Sequence, residues 1–388
     1  MFYTTSLSGG GGERVWAVLA SALARRGHTV TLVVDFDAEE NRPFVAPEVE
    51  VMVLGGGHLR SLWRLMRLIA ARRPDVVLSA IGGSDLKAAF ATLVLGLLGE
   101  RPRPVIGTFH GYRENETGIL GDLHFRLAPL LTRLCDRTVC VSDGLRREVI
   151  ERWHAAADRC VRVYNPIRVE GCDPTLNAAA LAARAPIILA AGRLVPVKGF
   201  VRLVRAFARL PHPDARLVIL GHGPEHDAIR AEAERLGVAD RLDLPGYVAE
   251  PWQWYARARC FALSSRVEAF GNVVVEALAH GLPVVATDCD GPREILIDPA
   301  HGALVPRGDE AAFAAALTAA LAAPGDPAPR AARAAEFDVA TSVARYESLI
   351  ESVLAAPVRP GAVVDDLGPD LPVPPVAPVV DRDTLPRR

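Results

Sequence analysis

The sequence predicts an α/β protein built from two Rossmann-like, doubly wound domains that face a central cleft. Two observations carry this. Short apolar runs alternate with helical patterns along most of the chain, as βαβ units require. The chain has 388 residues, enough for two such domains. Residues 165–185, with two prolines and few bulky apolar side chains, divide it near the middle.

In the first half, the patterns predict strands over 2–5, 29–34, 49–54, 76–80, 105–108, 138–141 and 161–163. Helices fit between them at 13–26, 59–73, 85–98, 123–135 and 144–152. In the second half, strands fit 187–191, 216–220, 242–244, 260–263, 283–286 and 303–305. Helices there fit 199–210, 225–236, 250–256, 272–280 and 310–322. The expected organisation is a first domain over 1–165, a linker over 166–185, a second domain over 186–338 and a further helix over 339–356. Residues 357–388 are rich in Pro, Asp and Val without periodicity, which predicts a disordered tail. The first strand is short for such a fold, which suggests either a misassigned start or a clipped strand.

Composition excludes several classes. A hydrophobic content of 50% with 23% charged residues is that of a soluble globular protein, and a net charge of −2 does not suggest nucleic acid. The six cysteines lack C-x-x-C spacing, which argues against a zinc site or disulfide framework and suits a reducing cytoplasm. The longest apolar run, 88–99, is too short for a membrane span and reads as a core helix. No signal peptide is apparent.

The most informative segment is 264–287, SSRVEAFGNVVVEALAHGLPVVAT. Glu268 and Glu276 stand eight positions apart. Between them, Phe270-Gly271 open an apolar helix whose first residues are Asn272 and Val273. The free N–H groups of such a helix start face an anion, and carboxylates accept hydrogen bonds from hydroxyls. Glu276 is surrounded by Val273, Val274, Val275, Ala277 and Leu278, so its carboxylate needs partners; the plainer reading is a helix-surface acid. Paired carboxylates would also suit a glycoside hydrolase, which needs no cationic grip.

A cationic grip is nevertheless present. Gly192-Arg193 ends a strand and Lys198-Gly199 opens the next helix. Two cations on one loop can close on a diphosphate and offset charge that develops on a leaving group. Each alone would be an ordinary surface cation.

In the first half, Ser8-Gly9-Gly10-Gly11-Gly12-Glu13-Arg14-Val15 joins a strand to a helix. It invites a dinucleotide reading, with Asp35 ending the second strand. The G-x-G-x-x-G pattern fails, because Arg14 or Val15 occupies the third glycine position. Asp35-Phe36-Asp37 has the form of a metal-binding D-x-D, and reads more simply as a polar turn. His110 follows a strand and so stands at the carboxyl edge of the sheet, where doubly wound folds bind ligands; a turn histidine is the alternative.

Together these residues resemble the retaining GT-B glycosyltransferases of family 4 (glycosyl transferases group 1). The family pattern E-x-F-G then E-A matches Glu268-Ala269-Phe270-Gly271 and Glu276-Ala277. G-R-L-x-x-x-K-G matches Gly192, Arg193, Leu194, Lys198 and Gly199. G-G-x-E-R-V matches Gly10, Gly11, Glu13, Arg14 and Val15. Val141-Ser142 matches a V-S pair. Gly221-His222-Gly223-Pro224 resembles a G-x-G-P turn, with His222 in place of the commoner Asp. Gly246-Tyr247-Val248 would set backbone groups near the nucleobase. Gly291-Pro292-Arg293-Glu294 resembles a family loop shortened by a residue or so. One residue departs from the pattern: Ala269 replaces the usual Gly, and its methyl group narrows the allowed backbone angles.

The resemblance implies transfer of a hexose-type sugar, with retention, from a nucleotide-diphosphate sugar to a glycan, lipid-linked or small-molecule hydroxyl. UDP is the nucleotide the family uses most. Arg193, Lys198 and the helix start at Phe270, Gly271, Asn272 and Val273 would hold the diphosphate. Glu268 and His110 would lie near the sugar, and Glu276 would hold the ribose. Gly10, Gly11, Gly221, Gly223 and Val248 would complete the nucleotide-sugar site. No metal and no further cofactor is implied, and the last helix would cross back to the first domain. The rivals are a sugar-nucleotide epimerase on the same fold, a non-catalytic sugar-nucleotide-binding module and an NAD-dependent oxidoreductase.

The helix over 59–73 carries Arg60, Arg64 and Arg67 on one stripe, with Leu62, Leu65, Met66 and Ile69 opposite. It reads as a crossover helix packed on its sheet. Its arginines suggest peripheral contact with an anionic membrane, since several acceptors in the family are lipid-linked.

Overall fold

The computed structural model describes residues 1–81, 83–101, 103–115 and 118–355. The tail expected over 357–388 lies outside the described residues. Seven strands form the first sheet: β1 (Phe2–Thr4), β2 (Thr31–Val34), β3 (Glu50–Val53), β4 (Val77–Ser79), β5 (Val105–Phe109), β6 (Arg137–Cys140) and β7 (Cys160–Arg162). They pair in parallel in the order β3-β2-β1-β4-β5-β6-β7. Helices α1 (Gly11–Arg25), α2 (His58–Arg72), α3 (Gly83–Leu97), α4 (Gly118–Arg126), α5 (Ala128–Leu134) and α6 (Asp143–Glu151) connect them. A short helix, α7 (Ala178–Ala182), lies in the stretch that follows.

The second sheet holds β8 (Ile187–Ala191), β9 (Arg216–Leu220), β10 (Leu242–Gly246), β11 (Cys260–Leu263), β12 (Val284–Thr287) and β13 (Gly302–Val305). Its order is β10-β9-β8-β11-β12-β13, again parallel. The helices are α8 (Phe200–Phe207), α9 (His226–Arg235), α10 (Trp252–Arg257), α11 (Asn272–Ala279), α12 (Asp290–Ile295), α13 (Glu310–Ala322), α14 (Ala328–Ala335) and α15 (Val339–Ala355). The central strands β8, β9, β11 and β12 are buried along nearly their whole length and read as apolar runs, as strands covered on both faces do. Strand order reverses between β1 and β4 and again between β8 and β11. The loops after β1 and β8 therefore open onto a crevice at each carboxyl edge.

Three elements differ from the sequence-based expectation. The helix expected over 123–135 is two helices, α4 and α5, because Pro129 falls in the first turn of α5 and cannot donate to a preceding turn. The loop expected at Gly291 is a helix, α12, with Pro292 in its first turn. The apolar run 88–99 is only partly core. On α3, Ala88, Ala91 and Leu95 are buried, while Phe90 (50%), Leu93 (41%) and Leu97 (79%) are exposed.

The chain passes between the two sheets twice, and the crossings meet. Tyr164, Phe270 and Phe337 pack with ring centroids 5.2–5.5 Å apart, and Ile167 N–H donates to the Phe337 carbonyl at 3.0 Å. Beyond this point α15 packs on α1. Val343, Tyr346, Leu349 and Val353 are buried in one apolar cluster with Trp16, Leu19 and Leu23. Glu347 of α15 pairs with Arg26 at 3.0 Å and His28 at 3.1 Å.

The D-x-D segment bends at the end of β2, as expected, and its two acids have different surroundings. Asp35 is buried and ion-paired with the buried Lys87. Tyr3 Oη also donates to Asp35 at 2.9 Å, and Lys87 Nζ donates to Ser61 Oγ at 2.8 Å. This knot ties β2 to β1, α2 and α3. Asp37 is exposed and lies 3.7 Å from Arg42.

Removing one partner of a buried pair strands the other charge. Lys87→Met should therefore lower unfolding stability by about 3–5 kcal/mol, with part of the loss recovered by adding Asp35→Asn. Urea unfolding followed by circular dichroism measures both.

Candidate active site

The second-domain half of the candidate site is built from loops after β8, β9 and β11. Their backbones lie too close for side chains. A Cβ on Gly221 (φ 131°) would sit 1.9 Å from the Gly192 carbonyl oxygen, and one on Gly223 (φ 156°) 2.4 Å from that of Leu194. Gly199 (φ 67°) has the same relation to the Ser264 carbonyl, at 2.4 Å. Gly221 and Gly223, expected to face the nucleotide, thus have a packing duty: they let the β9 loop brace the Arg193 loop. Leu194 N–H donates to the His222 carbonyl at 2.8 Å, which pins the two loops together.

Lys198 ends a single turn of 3-10 helix, Pro196–Lys198, and Gly199 caps α8. Ser264 Oγ donates to the Lys198 carbonyl at 2.8 Å, and Arg266 N–H to that of Val197 at 2.7 Å. This fixes the ammonium against the acid loop. Lys198 Nζ lies 2.6 Å from Glu268 Oε2, with both side chains largely shielded, and Ser265 Oγ donates to the same oxygen at 3.0 Å. Arg193 is exposed and faces the first domain, where its charge opposes the upward pull of burial on the Glu13 carboxyl. The two cations expected to act together therefore have different surroundings: Lys198 is paired with Glu268 of its own domain, while Arg193 is exposed toward the first domain, near enough for its charge to act on Glu13.

Helix α11 starts at Gly271, whose left-handed φ of 101° turns the chain into the helix. Gly271 contributes no side-chain cap, so the first N–H groups of α11, beginning with Asn272 and Val273, are free to meet an anion. Glu276, one turn further on, is half-buried. Tyr255 Oη donates to its Oε2 at 2.8 Å, and both burial and the nearby carboxylate push that phenol upward. This leaves Glu276 Oε1 for a hydroxyl donor.

Two expectations about this segment change. Phe270 was expected at the ligand, but the residue is 2% exposed and its ring packs on Tyr164 and Phe337, so the side chain faces the core. Ala269 does not strain the chain. The non-glycine residues with positive φ among those described are Arg73, Ile81 and His154, and the Ala269 methyl is buried in the core.

The first domain supplies the opposite wall. Gly10 is the extended N-cap of α1 and Gly11 its first residue. Asn272 of α11 reaches them: its Nδ2 donates to the Gly11 carbonyl at 3.4 Å, while its Oδ1 accepts from Asn165 Nδ2 at 2.8 Å. His110 follows β5 and lies beside Gly12, its ring edge-on to Trp16 at 5.7 Å. Both ring nitrogens are buried and have no partner among the described residues. Burial lowers the imidazole to about 4, so it is neutral at pH 7. Val248 is half-buried against the apolar cluster that holds Tyr255 and Phe270, and Tyr247 lies edge-on to His222 at 6.2 Å.

Sequence reasoning missed Tyr255, Asn165 and Glu294. Tyr255 sits in an apolar helical pattern without a distinguishing neighbour. Asn165 stood in the presumed linker. Glu294 was seen only as part of a loop motif. No group of three or more His, Cys, Asp or Glu among the described residues could hold a metal ion. No described helix is long and apolar enough to cross a membrane.

Residues 9–170 match glycosyltransferase family 4, and residues 176–337 match glycosyl transferases group 1. The chain belongs to the group 1 glycosyltransferases. It is 29% identical over 320 residues to the lipopolysaccharide core biosynthesis glycosyltransferase LpsE of Rhizobium meliloti, covering 79% of this chain and 84% of that protein. It is 34% identical over 181 residues to a Campylobacter jejuni N-acetylgalactosaminyltransferase that acts on a diphospho-undecaprenol-linked sugar, covering 46% of this chain and 49% of that one. In fold it resembles Anabaena HepE, solved with UDP and glucose, at a TM-score of 0.75 and 21% identity over 90% of this chain and 99% of that one.

The neutral His110 has a pH consequence. Its value is lower in the folded than in the unfolded chain, so its contribution to stability is complete above pH 6.5 and is lost as pH falls toward 4. His110→Gln should therefore lose less thermal stability than the parent between pH 7 and pH 4.5, by scanning calorimetry.

Proposed function

We propose that the protein transfers a hexose-type sugar, with retention of anomeric configuration, from a nucleotide-diphosphate sugar to a hydroxyl of a glycan or lipid-linked acceptor. The observation that carries this is the shielded Lys198–Glu268 pair at 2.6 Å beside the open N-terminus of α11. An arriving diphosphate can take the ammonium from Glu268 and meet the helix N–H groups and Arg193. The freed carboxylate then accepts from the sugar's hydroxyls. Lys198, Arg193 and the helix start offset charge on the leaving phosphate as the glycosidic bond breaks. Glu276 accepts from the ribose through Oε1. His110, neutral and without a partner among the described residues, is available to a sugar hydroxyl from the opposite wall. The departing phosphate removes the acceptor proton on the same face, so no carboxylate nucleophile is required. UDP as the nucleotide is supported by the solved HepE complexes with UDP and UDP-glucose.

We also propose peripheral contact with anionic lipid through α2 and α3. Exposed Trp63 and Leu59 of α2 and the Phe90, Leu93 and Leu97 stripe of α3 belong to adjoining helices, with Arg60 and Arg67 exposed beside them. Arg64, expected on the same stripe, is instead engaged by its own domain: its guanidinium donates to the Leu54 and Gly55 carbonyls.

Thermal-shift measurements should show stabilisation by UDP and not by NAD; stabilisation by NAD alone would overturn the assignment. Lys198→Ala and Arg193→Ala should each lower the transfer rate about 100-fold or more, and NMR of the product should give the anomeric configuration of the donor. Changing Arg60 and Arg67 together to Gln should reduce co-sedimentation with phosphatidylglycerol vesicles by roughly 10-fold or more; unchanged sedimentation removes the membrane proposal.

A further inference from the structure

Helix α12 touches both halves of the molecule through different residues. Toward the first domain, Glu294 accepts hydrogen bonds from the backbone N–H of Gly144 (2.8 Å, Oε1) and of Asp143 (3.0 Å, Oε2), and from Tyr164 Oη (3.1 Å, Oε2). Asp143 and Gly144 are the first residues of α6, so a carboxylate of one domain caps a helix of the other, where the helix dipole favours it. Asp290 also accepts from Tyr112 Oη. The approach is close: a Cβ on Gly144 would lie 2.2 Å from the Asp290 Cβ. Toward its own domain, α12 grips the acid loop. Gly291 N–H donates to the Glu268 carbonyl at 3.0 Å, and a Cβ on Gly291 would lie 2.2 Å from the Phe270 carbonyl oxygen.

We infer that α12 is a strut that sets the acceptor-side wall relative to the donor loop, with Glu294 as a positioning residue that holds the cleft closed while Gly291 holds Glu268. This rests on the proposed donor role of the Glu268–Gly271 loop. Glu294 is itself anchored from behind: Arg333 Nη2 donates to its carbonyl at 2.7 Å and Arg333 Nε to that of Ile295 at 3.0 Å. On the facing side, Arg162 pairs with Asp143 at 3.2 Å and donates to Tyr164 Oη at 2.7 Å. The strut therefore bears on a framed surface in each domain. Breaking it frees the domains to separate while leaving the donor loop intact.

The full chain with Glu294→Ala, Glu294→Gln or Gly144→Ala tests this by small-angle scattering, UDP calorimetry and steady-state transfer. Glu294→Ala and Gly144→Ala should raise the radius of gyration, keep the UDP dissociation constant within about two-fold and lower kcat by about ten-fold. Glu294→Gln, whose carbonyl can still accept a backbone N–H, should fall between. Gly144→Ala changes the facing domain alone, so agreement between it and Glu294→Ala separates coupling from damage to the donor domain. An unchanged radius and kcat in both alanine variants would overturn the strut. So would a loss of UDP affinity in step with kcat, which would make Glu294 a support of the donor loop alone. If the parent protein binds no UDP, the donor assignment fails, while the scattering comparison still decides whether Glu294 holds the domains together.

Discussion

The carboxyl edge of the second sheet is organised by backbone contacts that leave no room for a Cβ. Gly221 against Gly192, Gly223 against Leu194, Gly199 against Ser264 and Gly291 against Phe270 form a lattice of crossing loops. Where backbones approach this closely, the side chains that remain have few ways to point. Lys198 is delivered onto Glu268, Arg193 is turned outward to the cleft, and Gly271 delivers the start of α11 between them. The chemistry of the site is thus a consequence of packing among glycines whose missing side chains let the loops meet.

The Lys198–Glu268 pair gives that lattice a chemical state. Two opposite charges held in a shielded place need each other until something better arrives. A ligand carrying both negative phosphates and hydroxyls can satisfy each partner separately, whereas a simple anion satisfies only the lysine. The pair therefore favours a bifunctional ligand over phosphate alone. Across the cleft, the charge of Arg193 reaches the Glu13 carboxyl and opposes the upward pull of burial on it.

The alternation of apolar runs with helices made both sheets legible, because strands buried on two faces leave unbroken Val, Ile and Leu runs. The glutamate segment and the Arg–Lys loop were legible as well, since spacing along a helix and across one loop is local. Long-range pairings were not. Nothing local tells that Asp35 finds Lys87, that Tyr255 finds Glu276, or that Glu294 crosses to α6. Each is separated in sequence and joined only by the fold. Phe270 misled for a related reason: its motif marks a turn where the backbone serves, and the ring turns the other way, into the core with Tyr164 and Phe337. Pro129 was a legible break that the apolar pattern around it outweighed.

The packing of α15 on α1 has a consequence for how the molecule is made. Val343, Tyr346, Leu349 and Val353 complete the apolar cluster around Trp16 and Leu23, so the core begun by the first helix is closed by the last. During synthesis the opening sheet must wait, with part of its apolar surface uncovered, until the whole second sheet has left the ribosome, a delay of about 10–40 s at usual elongation rates. That interval exposes the nascent chain to chaperones and to aggregation. It also means that the two halves cannot be separated by a single cut without opening the core of the first.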